Sequence, residues 1–348
     1  MVSGMQQYKG LDLARTYSII GIVLMHVLTN SKFALQGIVF NKIIPSFTNL
    51  VFLFMMISAF GMCCGYLKKF QDKKIDVSEF YLRRYKKLWP FFSVLCILDL
   101  LLSPSINSLF ECFFNLTLLQ GLLPNPNISV IGVSWTLAVI FVFYLMFPFF
   151  VFLLSDKKRA WFAFLVSILM NLACKLYFFD ESHVLYTFNI RENILYSGVF
   201  FMAGGLIYLY RNTLIKLSHV YKKELLIGLL MTIVIYYFIN SGIFITLVLS
   251  SILLIMVISR KKSVNLFIKK FSDYSFEVYL SHMVIFRLLE KLHVVNLVQN
   301  TNMPILMFII ISMITLIGSI VFSVFVQKGL QIFQIKYLPI IKRRIYGR

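Results

Sequence analysis

Ten apolar stretches separated by short polar connections set the pattern of this 348-residue chain. A helix needs about 20 consecutive apolar residues to cross the hydrocarbon core of a membrane. Each stretch is near that length, so the pattern predicts an all-α polytopic membrane protein with about ten transmembrane helices. The predicted spans are residues 12–31, 45–67, 88–106, 131–154, 159–179, 191–210, 223–240, 242–260, 272–292 and 304–328.

Basic residues are concentrated in alternate connections. The connection between spans two and three, residues 68–87, contains eight lysines and arginines, whereas the next one, residues 103–130, contains none. Basic residues also follow spans four, six and eight and occur near the end of the chain, at 342–344. Because cytoplasmic loops carry the excess of Lys and Arg, the pattern predicts that both termini are cytosolic. No repeat or low-complexity segment interrupts it, so residues 1–348 are predicted to form a single transmembrane domain.

Composition agrees with a membrane location. Hydrophobic residues make up 59% of the chain and the mean hydropathy is +0.84, more than a soluble domain can bury. The net charge of +20 therefore indicates contact with anionic lipid head groups, not with nucleic acid. We expect a multi-pass protein of the cell (plasma or inner) membrane, with a homo-oligomer left open. The five cysteines lie in or beside apolar spans without metal-ligand spacing, so they predict buried free thiols and no metal site.

The first span contains two ionisable residues. Arg15 and His26 are eleven positions apart, which places both on one helical face with a rise of about 16 Å between them. Ionisable groups inside a membrane usually face a protein interior or a wet cavity. The alternative is an arginine that snorkels to the interface and a histidine that only packs.

A second basic element, FYLRRYKKLWP at residues 80–90, enters span three from the predicted cytosolic side. Its Arg83, Arg84 and Lys87 are suited to hold a polyanion through charge-assisted hydrogen bonds. The competing interpretation is a basic loop that contacts only lipid phosphates.

Two further groups of residues complete the candidate site. His282 lies at the same nominal depth in span nine as His26 in span one, so packing of these spans would bring two imidazoles to one level. Glu277, in the same span, is placed to orient an imidazole or to pair with Arg287 or a backbone group.

Ser134 and Trp135 open span four from the predicted outer side, although a tryptophan there is commonly only an interface residue. The apolar connection 103–130 predicts an interfacial or re-entrant helix before a PNPN turn.

Four segments, in order, resemble the motifs of the acyltransferase 3 family of membrane O-acyltransferases. They are GLDLARTYSIIGIVLMHV, FYLRRYKKLWP, NLTLLQG with VSWTLAVIFVFYLMFP, and SDYSFEVYLSHMVIF. By this resemblance, Arg15 and His26 match the family's essential pair. The positions that match family motif residues are Arg15, His26, Arg84, Lys87, Trp135 and His282.

The chain departs from the family pattern at two positions. Lys87 stands where many members have arginine, which keeps the charge and loses bidentate phosphate geometry. Ile140 stands where many members have glutamate, so no role of that carboxylate can operate here.

The resemblance implies transfer of an acyl group, usually acetyl from cytosolic acetyl-CoA, to a hydroxyl of a cell-surface glycan or lipid-linked sugar. His26 is expected to act as general base. The donor-binding candidates are Arg15, Arg83, Arg84 and Lys87; the catalytic candidates are His26 and Arg15; the positioning candidates are Ser134, Trp135, Glu277 and His282. A transporter or exporter of a glycan or lipid intermediate is the main alternative, followed by a non-catalytic scaffold. The acceptor, the size of the acyl group and direct transfer against an acyl-enzyme all stay open.

Overall fold

The computed structural model describes residues 8–31, 33–123, 132–184, 189–239, 241–295 and 303–337. Within these ranges the chain is helical and none of the residues forms a β-strand, in agreement with the predicted all-α class. The helices, numbered in chain order, are α1 Gly10–Asn30, α2 Val39–Gln71, α3 Val77–Leu102, α4 Ile106–Thr117, α5 Ser134–Leu154, α6 Lys157–Phe178, α7 Ile194–Val220, α8 Lys222–Phe238, α9 Ile243–Ile258, α10 Leu266–Asp273, α11 Ser275–Lys291 and α12 Pro304–Ile332.

Within the described residues, six helices are long and apolar enough to cross a membrane: α1, α2, α5, α6, α7 and α12. A helix also forms in each of the other four predicted spans. Of these, α3 begins with a strongly charged segment, while α8, α9 and α11 have 17, 16 and 17 residues. A 17-residue helix is about 26 Å long, slightly less than the roughly 30 Å hydrocarbon core. The total of ten spans and the orientation of the termini remain predictions.

Several predicted boundaries differ from the observed ones; α3, for example, already begins at Val77, and α7 continues to Val220. Two of the differences concern the end of span three and the start of span six. Span three was expected to run to residue 106, but α3 ends at Leu102 and a new helix, α4, begins at Ile106. Span six was expected to begin at residue 191, but α7 begins at Ile194. The reason for the second difference is local, because the Asn193 side chain accepts a hydrogen bond from the backbone N–H of Leu195 and caps the helix. Residues 190–192 form a separate 3₁₀ turn.

The connection after α3 contains the helix that its apolar sequence predicted. One side of α4 is exposed and apolar, with Ile106, Leu109, Phe110 and Phe113 all more than half exposed. Such a surface is expected where a helix lies against lipid. The PNPN turn that follows, and the basic residues at 342–344, lie outside the described residues.

The centre of the molecule is formed by α2 and α7, which pack at close range. Gly204 of α7 lies directly over the α2 backbone, and a Cβ atom at this position would collide with the carbonyl oxygen of Met56. Aromatic side chains fill the surrounding space, with the Phe52 and Phe200 rings stacked at 4.3 Å between centroids. Helices α1, α10 and α11 pack beside this centre and bring the candidate residues of both ends of the chain together.

Candidate active site

A cavity of about 360 Å³ lies between α1, α2, α3, α5, α10 and α11. This volume falls within the range of about 300–1,000 Å³ typical of small-molecule sites. Helices from the first, middle and last thirds of the chain form its walls, so it exists only in the folded bundle. The cavity is therefore the first place to look for the predicted site residues.

Three of the four predicted donor-binding residues line the cavity. Arg15 comes from α1, while Arg84 and Lys87 come from consecutive turns of α3. The Arg15 side chain is 34% exposed and lies 3.7 Å from the carboxylate of Asp12. Three cations on one concave surface form a site that favours an anionic ligand.

Arg84 is held firmly at this surface. One of its terminal nitrogens donates to the Tyr66 hydroxyl at 2.5 Å, and the guanidinium lies over the Tyr66 ring at 4.8 Å and the Tyr144 ring at 5.9 Å. Its Nε atom is buried and has no hydrogen-bond partner in the described part of the protein. A buried N–H without an acceptor is costly, and a ligand oxygen would remove that cost.

Arg83 is the one predicted donor-binding residue that the structure does not bring to the cavity. Its exposed side chain forms an ion pair with Glu79, one turn earlier in α3. Successive residues of a helix differ by about 100° in direction, and this rotation turns Arg83 away from the cavity that Arg84 lines.

The same cavity also contains two carboxylates, Asp273 and Glu277. Glu277 accepts a hydrogen bond of 2.6 Å from the Gln327 amide, and its second carboxylate oxygen is buried with no partner among the described residues. One alternative from the sequence, an ion pair between Glu277 and Arg287, is not present in the structure. Arg287 lies almost three turns further along α11, where it binds Glu290 at 2.5 Å, and a helix places such residues far apart.

His26 and His282 lie side by side. The sequence predicted this for the case that spans one and nine pack together, because the two residues lie at equal depth in them. Their ring centroids are 5.2 Å apart and the rings are inclined by 45°. His282 is completely buried, and its Nδ1 atom lies 2.6 Å from the carbonyl oxygen of Tyr279. A carbonyl only accepts, so Nδ1 carries the proton in this contact and Nε2 of the neutral ring is free to accept. That Nε2 atom is buried without a hydrogen-bond partner in the residues described.

Tyr279 separates the cavity from the histidine pair. Its ring lines the inner end of the cavity and lies 5.8 Å from the His282 ring. Its hydroxyl donates to Thr136 Oγ1 at 2.8 Å. Neither His26 nor His282 lines the cavity itself. The structure thus places Arg15 in the cavity and His26 beyond its inner end.

Ser134 and Trp135 begin α5 close to this inner end. Ser134 is buried, and neither it nor Trp135 is among the cavity-lining residues. The Trp135 ring instead faces the guanidinium of Arg191, at 5.8 Å from its centroid. A cation over an indole ring is a favourable contact, stronger where water is excluded.

Arg191 was not predicted as a site residue. Its guanidinium lies against the Trp135 ring, and the next residue of α5, Thr136, accepts a hydrogen bond from the Tyr279 hydroxyl, so Arg191 belongs to the same group of side chains. The sequence contained one signal for it, because Arg191 is the only lysine or arginine between Lys175 and Arg211, at the start of span six and next to a connection predicted to lie outside. A lone cation on that side departs from the positive-inside pattern.

The neighbouring Glu192 precedes α7 and lies outside the membrane-spanning helices. Burial raises the pKa of its carboxyl to about 7, although a hydrogen bond from Asn189 and the charge of Arg191 act in the opposite direction. Burial raises the pKa of an acid because it disfavours the charged form.

A bundle of apolar helices that encloses a cationic cavity and a buried histidine pair indicates a membrane-embedded protein with a site for an anionic ligand. The family model described as an acyltransferase domain, that of the acyltransferase 3 family, matches residues 8–324. The chain therefore belongs to the acyltransferase 3 family and is a multi-pass membrane acyltransferase. No curated protein and no solved structure matches it. The match gives no support to the transporter alternative.

Proposed function

We propose that the protein is an O-acetyltransferase of the cell membrane, which transfers an acetyl group from cytosolic acetyl-CoA to a hydroxyl of a cell-surface glycan or lipid-linked sugar. The observation that carries the proposal is the sequence of sites along one path: a cavity with three cations, then Tyr279, then two histidines. This order suits a donor with a polyanionic head group and a long, thin thioester arm.

Arg15, Arg84 and Lys87 are proposed to hold the phosphates of coenzyme A. All three line the cavity, and the unpartnered Nε of Arg84 is a donor that a phosphate oxygen would satisfy. Charge-assisted hydrogen bonds to phosphate are among the stronger polar contacts in proteins. Lys87 would act as a point charge, since an ammonium lacks the planar fork of a guanidinium.

His26 is proposed as the general base. It removes the proton from the acceptor hydroxyl while the hydroxyl oxygen attacks the thioester carbonyl carbon. The new C–O bond forms, the C–S bond breaks, and the proton passes from the imidazole to the leaving thiolate. His282 lies against the His26 ring and is proposed to position it, with Trp135, Ser134 and Glu277 as further positioning residues.

The direct test is acetyl transfer by the purified protein in nanodiscs. The wild type should consume acetyl-CoA in the presence of acceptor, and His26→Ala should reduce this rate to the background. His219→Ala is the matched control, because His219 is exposed at the end of α7 and should leave the rate unchanged. Mass spectrometry of the host's surface glycans should show one acetyl group per modified unit that disappears with the His26 variant. Retained acetylation by a folded His26→Ala protein would contradict the mechanism.

A further inference from the structure

The side chain of Arg191 enters the protein from the end opposite the cavity cations. The 3₁₀ turn Ile190–Glu192 carries it, and α2 fixes it by two hydrogen bonds to one residue. The Nη1 atom donates to Thr48 Oγ1 at 2.9 Å and the Nη2 atom donates to the Thr48 carbonyl oxygen at 2.7 Å. The guanidinium also lies 5.0 Å from the Phe52 ring centroid. Its position is therefore defined from several sides.

These contacts leave Arg191 incompletely satisfied. Its Nε atom is buried and has no acceptor, and no carboxylate within the described ranges lies at ion-pair distance from it. A guanidinium has five N–H donors, and a partly buried cation without an anionic partner is costly to keep. Such a group is normally retained where negative charge appears during function.

A second unsatisfied atom lies beside His26. The buried Nε2 of His282 has no hydrogen-bond partner among the described residues, and the His282 ring lies 5.2 Å from the His26 ring. Arg191 connects to this pair through α5 and α11: its guanidinium lies 5.8 Å from the Trp135 ring centroid, and the next residue of α5, Thr136, accepts a hydrogen bond from Tyr279. The Tyr279 ring in turn lies 5.8 Å from the His282 ring. One connected group of side chains thus contains a cation with a free donor and an imidazole with a free acceptor, an arrangement that fits a reacting group with both an acidic proton and a carbonyl oxygen.

We propose that Arg191 is a further catalytic residue, which donates a hydrogen bond to the carbonyl oxygen of the acyl group as this oxygen becomes negatively charged. The inference rests on the proposed acyl transfer and adds a residue to it. When the acceptor oxygen adds to the carbonyl carbon, the C=O electron pair moves to the carbonyl oxygen and His26 takes the proton of the acceptor hydroxyl. When the C–S bond breaks, the electron pair returns to the C=O bond and the thiolate receives the proton.

This role makes Arg191 differ from the cavity cations in a measurable way. Arg15, Arg84 and Lys87 are proposed to bind the donor before and during the reaction, so their loss weakens donor binding. Arg191 interacts most strongly with the charge that develops on the acyl oxygen during the reaction, so its loss lowers kcat and leaves the affinity for coenzyme A, which carries no acyl group, unchanged. Removal of one donor to such an oxyanion typically costs about 10²–10³-fold in kcat.

The test compares Arg191→Gln and Arg191→Lys with the wild type in nanodiscs. We expect kcat to fall about 100-fold in Arg191→Gln and less in Arg191→Lys, which keeps the charge, while the Kd of coenzyme A stays within about twofold. Arg287→Gln is the control, because Arg287 is exposed on α11 and pairs with Glu290. Unchanged kcat in either Arg191 variant, or a parallel loss of coenzyme A affinity, would overturn the inference.

A spectroscopic measurement separates a catalytic role from a structural one. Acetonyl-CoA, in which a methylene group separates the sulfur from the acetyl carbon, keeps the carbonyl and cannot transfer it. Its infrared carbonyl stretch should move to lower frequency on binding to the wild type and return towards the solution value with Arg191→Lys or Arg191→Gln. An identical stretch in all three proteins would exclude the contact. If the wild type itself transfers no acetyl group, the proposed function fails; if the wild type is active and only the Arg191 effects are absent, the inference alone fails.

Discussion

At the scale of single residues, Arg83 and Arg84 show how much one helical position decides. They are adjacent in the sequence and chemically identical, yet Arg84 lines the cavity and Arg83 forms an exposed ion pair with Glu79. An exposed ion pair contributes little to stability. The two residues therefore form a natural pair of test and control for donor binding.

We expect Arg84→Gln to weaken coenzyme A binding by about 10–100-fold, because a charged hydrogen bond to phosphate is worth roughly 1.5–3 kcal/mol. Arg83→Gln should change the affinity by less than about twofold, since exposed pairs are worth little. Isothermal titration calorimetry with coenzyme A measures both. Equal losses in the two variants would show that the bound phosphates do not lie in the cavity.

Glu277 allows the opposite prediction, a substitution that strengthens coenzyme A binding. Glu277→Gln removes a negative charge from the cavity wall, and the new amide oxygen can still accept the hydrogen bond from Gln327. Coenzyme A should bind about 3–10-fold more tightly, since a like charge near its phosphates is removed. Glu290→Gln, at an exposed pair on the same helix, is the control in the same titration. Weaker binding by Glu277→Gln would mean that this carboxylate contacts the donor directly.

Glu192 makes the stability of the folded protein depend on pH. The folded-state pKa of about 7 lies above the ordinary value of 4.5, so the folded protein binds this proton more tightly than the unfolded chain. The resulting stabilisation is complete below about pH 4.5 and is lost as the pH rises through about 7. Thermal unfolding of the wild type should therefore show a midpoint that falls over this range relative to Glu192→Gln. Parallel pH profiles of the two proteins would contradict the assignment.

The sequence predicted how deep a residue lies along its helix, but not which way the helix is rotated or where it begins. Some site residues were therefore predicted and others were not. The meeting of His26 and His282 followed from equal depth in two spans, because helical rise converts residue number directly into depth. The position of Arg191 could not be predicted in the same way, since it depends on a 3₁₀ turn and on the Asn193 cap that shifts the start of α7. Arg83 failed to reach the cavity because the rotation of α3 is set by packing, which the sequence does not show.

At the scale of helices, the length of an apolar stretch predicted reliably that a helix forms, but it did not predict where that helix begins and ends. All ten predicted spans contain helix, but the exact ends at Leu102 and Ile194 depended on local breaks and caps. The short helix α4 was predicted from an uncharged apolar connection. Close packing between α2 and α7 was not predicted, because the contact at Gly204 depends on which helices become neighbours.

Gly204 tests that packing. Gly204→Ala should destabilise the fold by about 1–3 kcal/mol, because the added methyl group collides with the α2 backbone, which cannot move aside as a flexible side chain can. Gly228→Ala in α8 is the matched control, as a Cβ at that position meets no atom within 4 Å. It should be neutral or stabilise by up to about 1 kcal/mol through helix propensity. The unfolding midpoints of both variants, measured in detergent, test this prediction. A similar midpoint for the two would show that α2 and α7 do not pack this closely.

At the scale of the whole molecule, the orientation in the membrane links the cavity to a cellular compartment. The basic connection between α2 and α3 predicts that the cavity cations face the cytosol, where the proposed donor is found, and that Arg191 lies towards the outside. The five native cysteines are buried or half-buried, so an introduced cysteine can be detected against a low background.

Single cysteines at two connections test the orientation. A membrane-impermeant maleimide added to intact cells should label Glu181→Cys, in the connection after α6, and should not label Lys73→Cys, between α2 and α3. After the cells are permeabilised, both variants should react. The reverse labelling pattern would place the cavity cations outside the cell and separate them from cytosolic acetyl-CoA.

The most direct measurement is a cryo-electron microscopy structure of the protein with acetonyl-CoA bound. The account predicts that the phosphates contact Arg15, Arg84 and Lys87 and that the carbonyl lies beside His26, with Tyr279 moved from its present position. A donor bound outside this cavity, or a carbonyl remote from His26, would contradict the account.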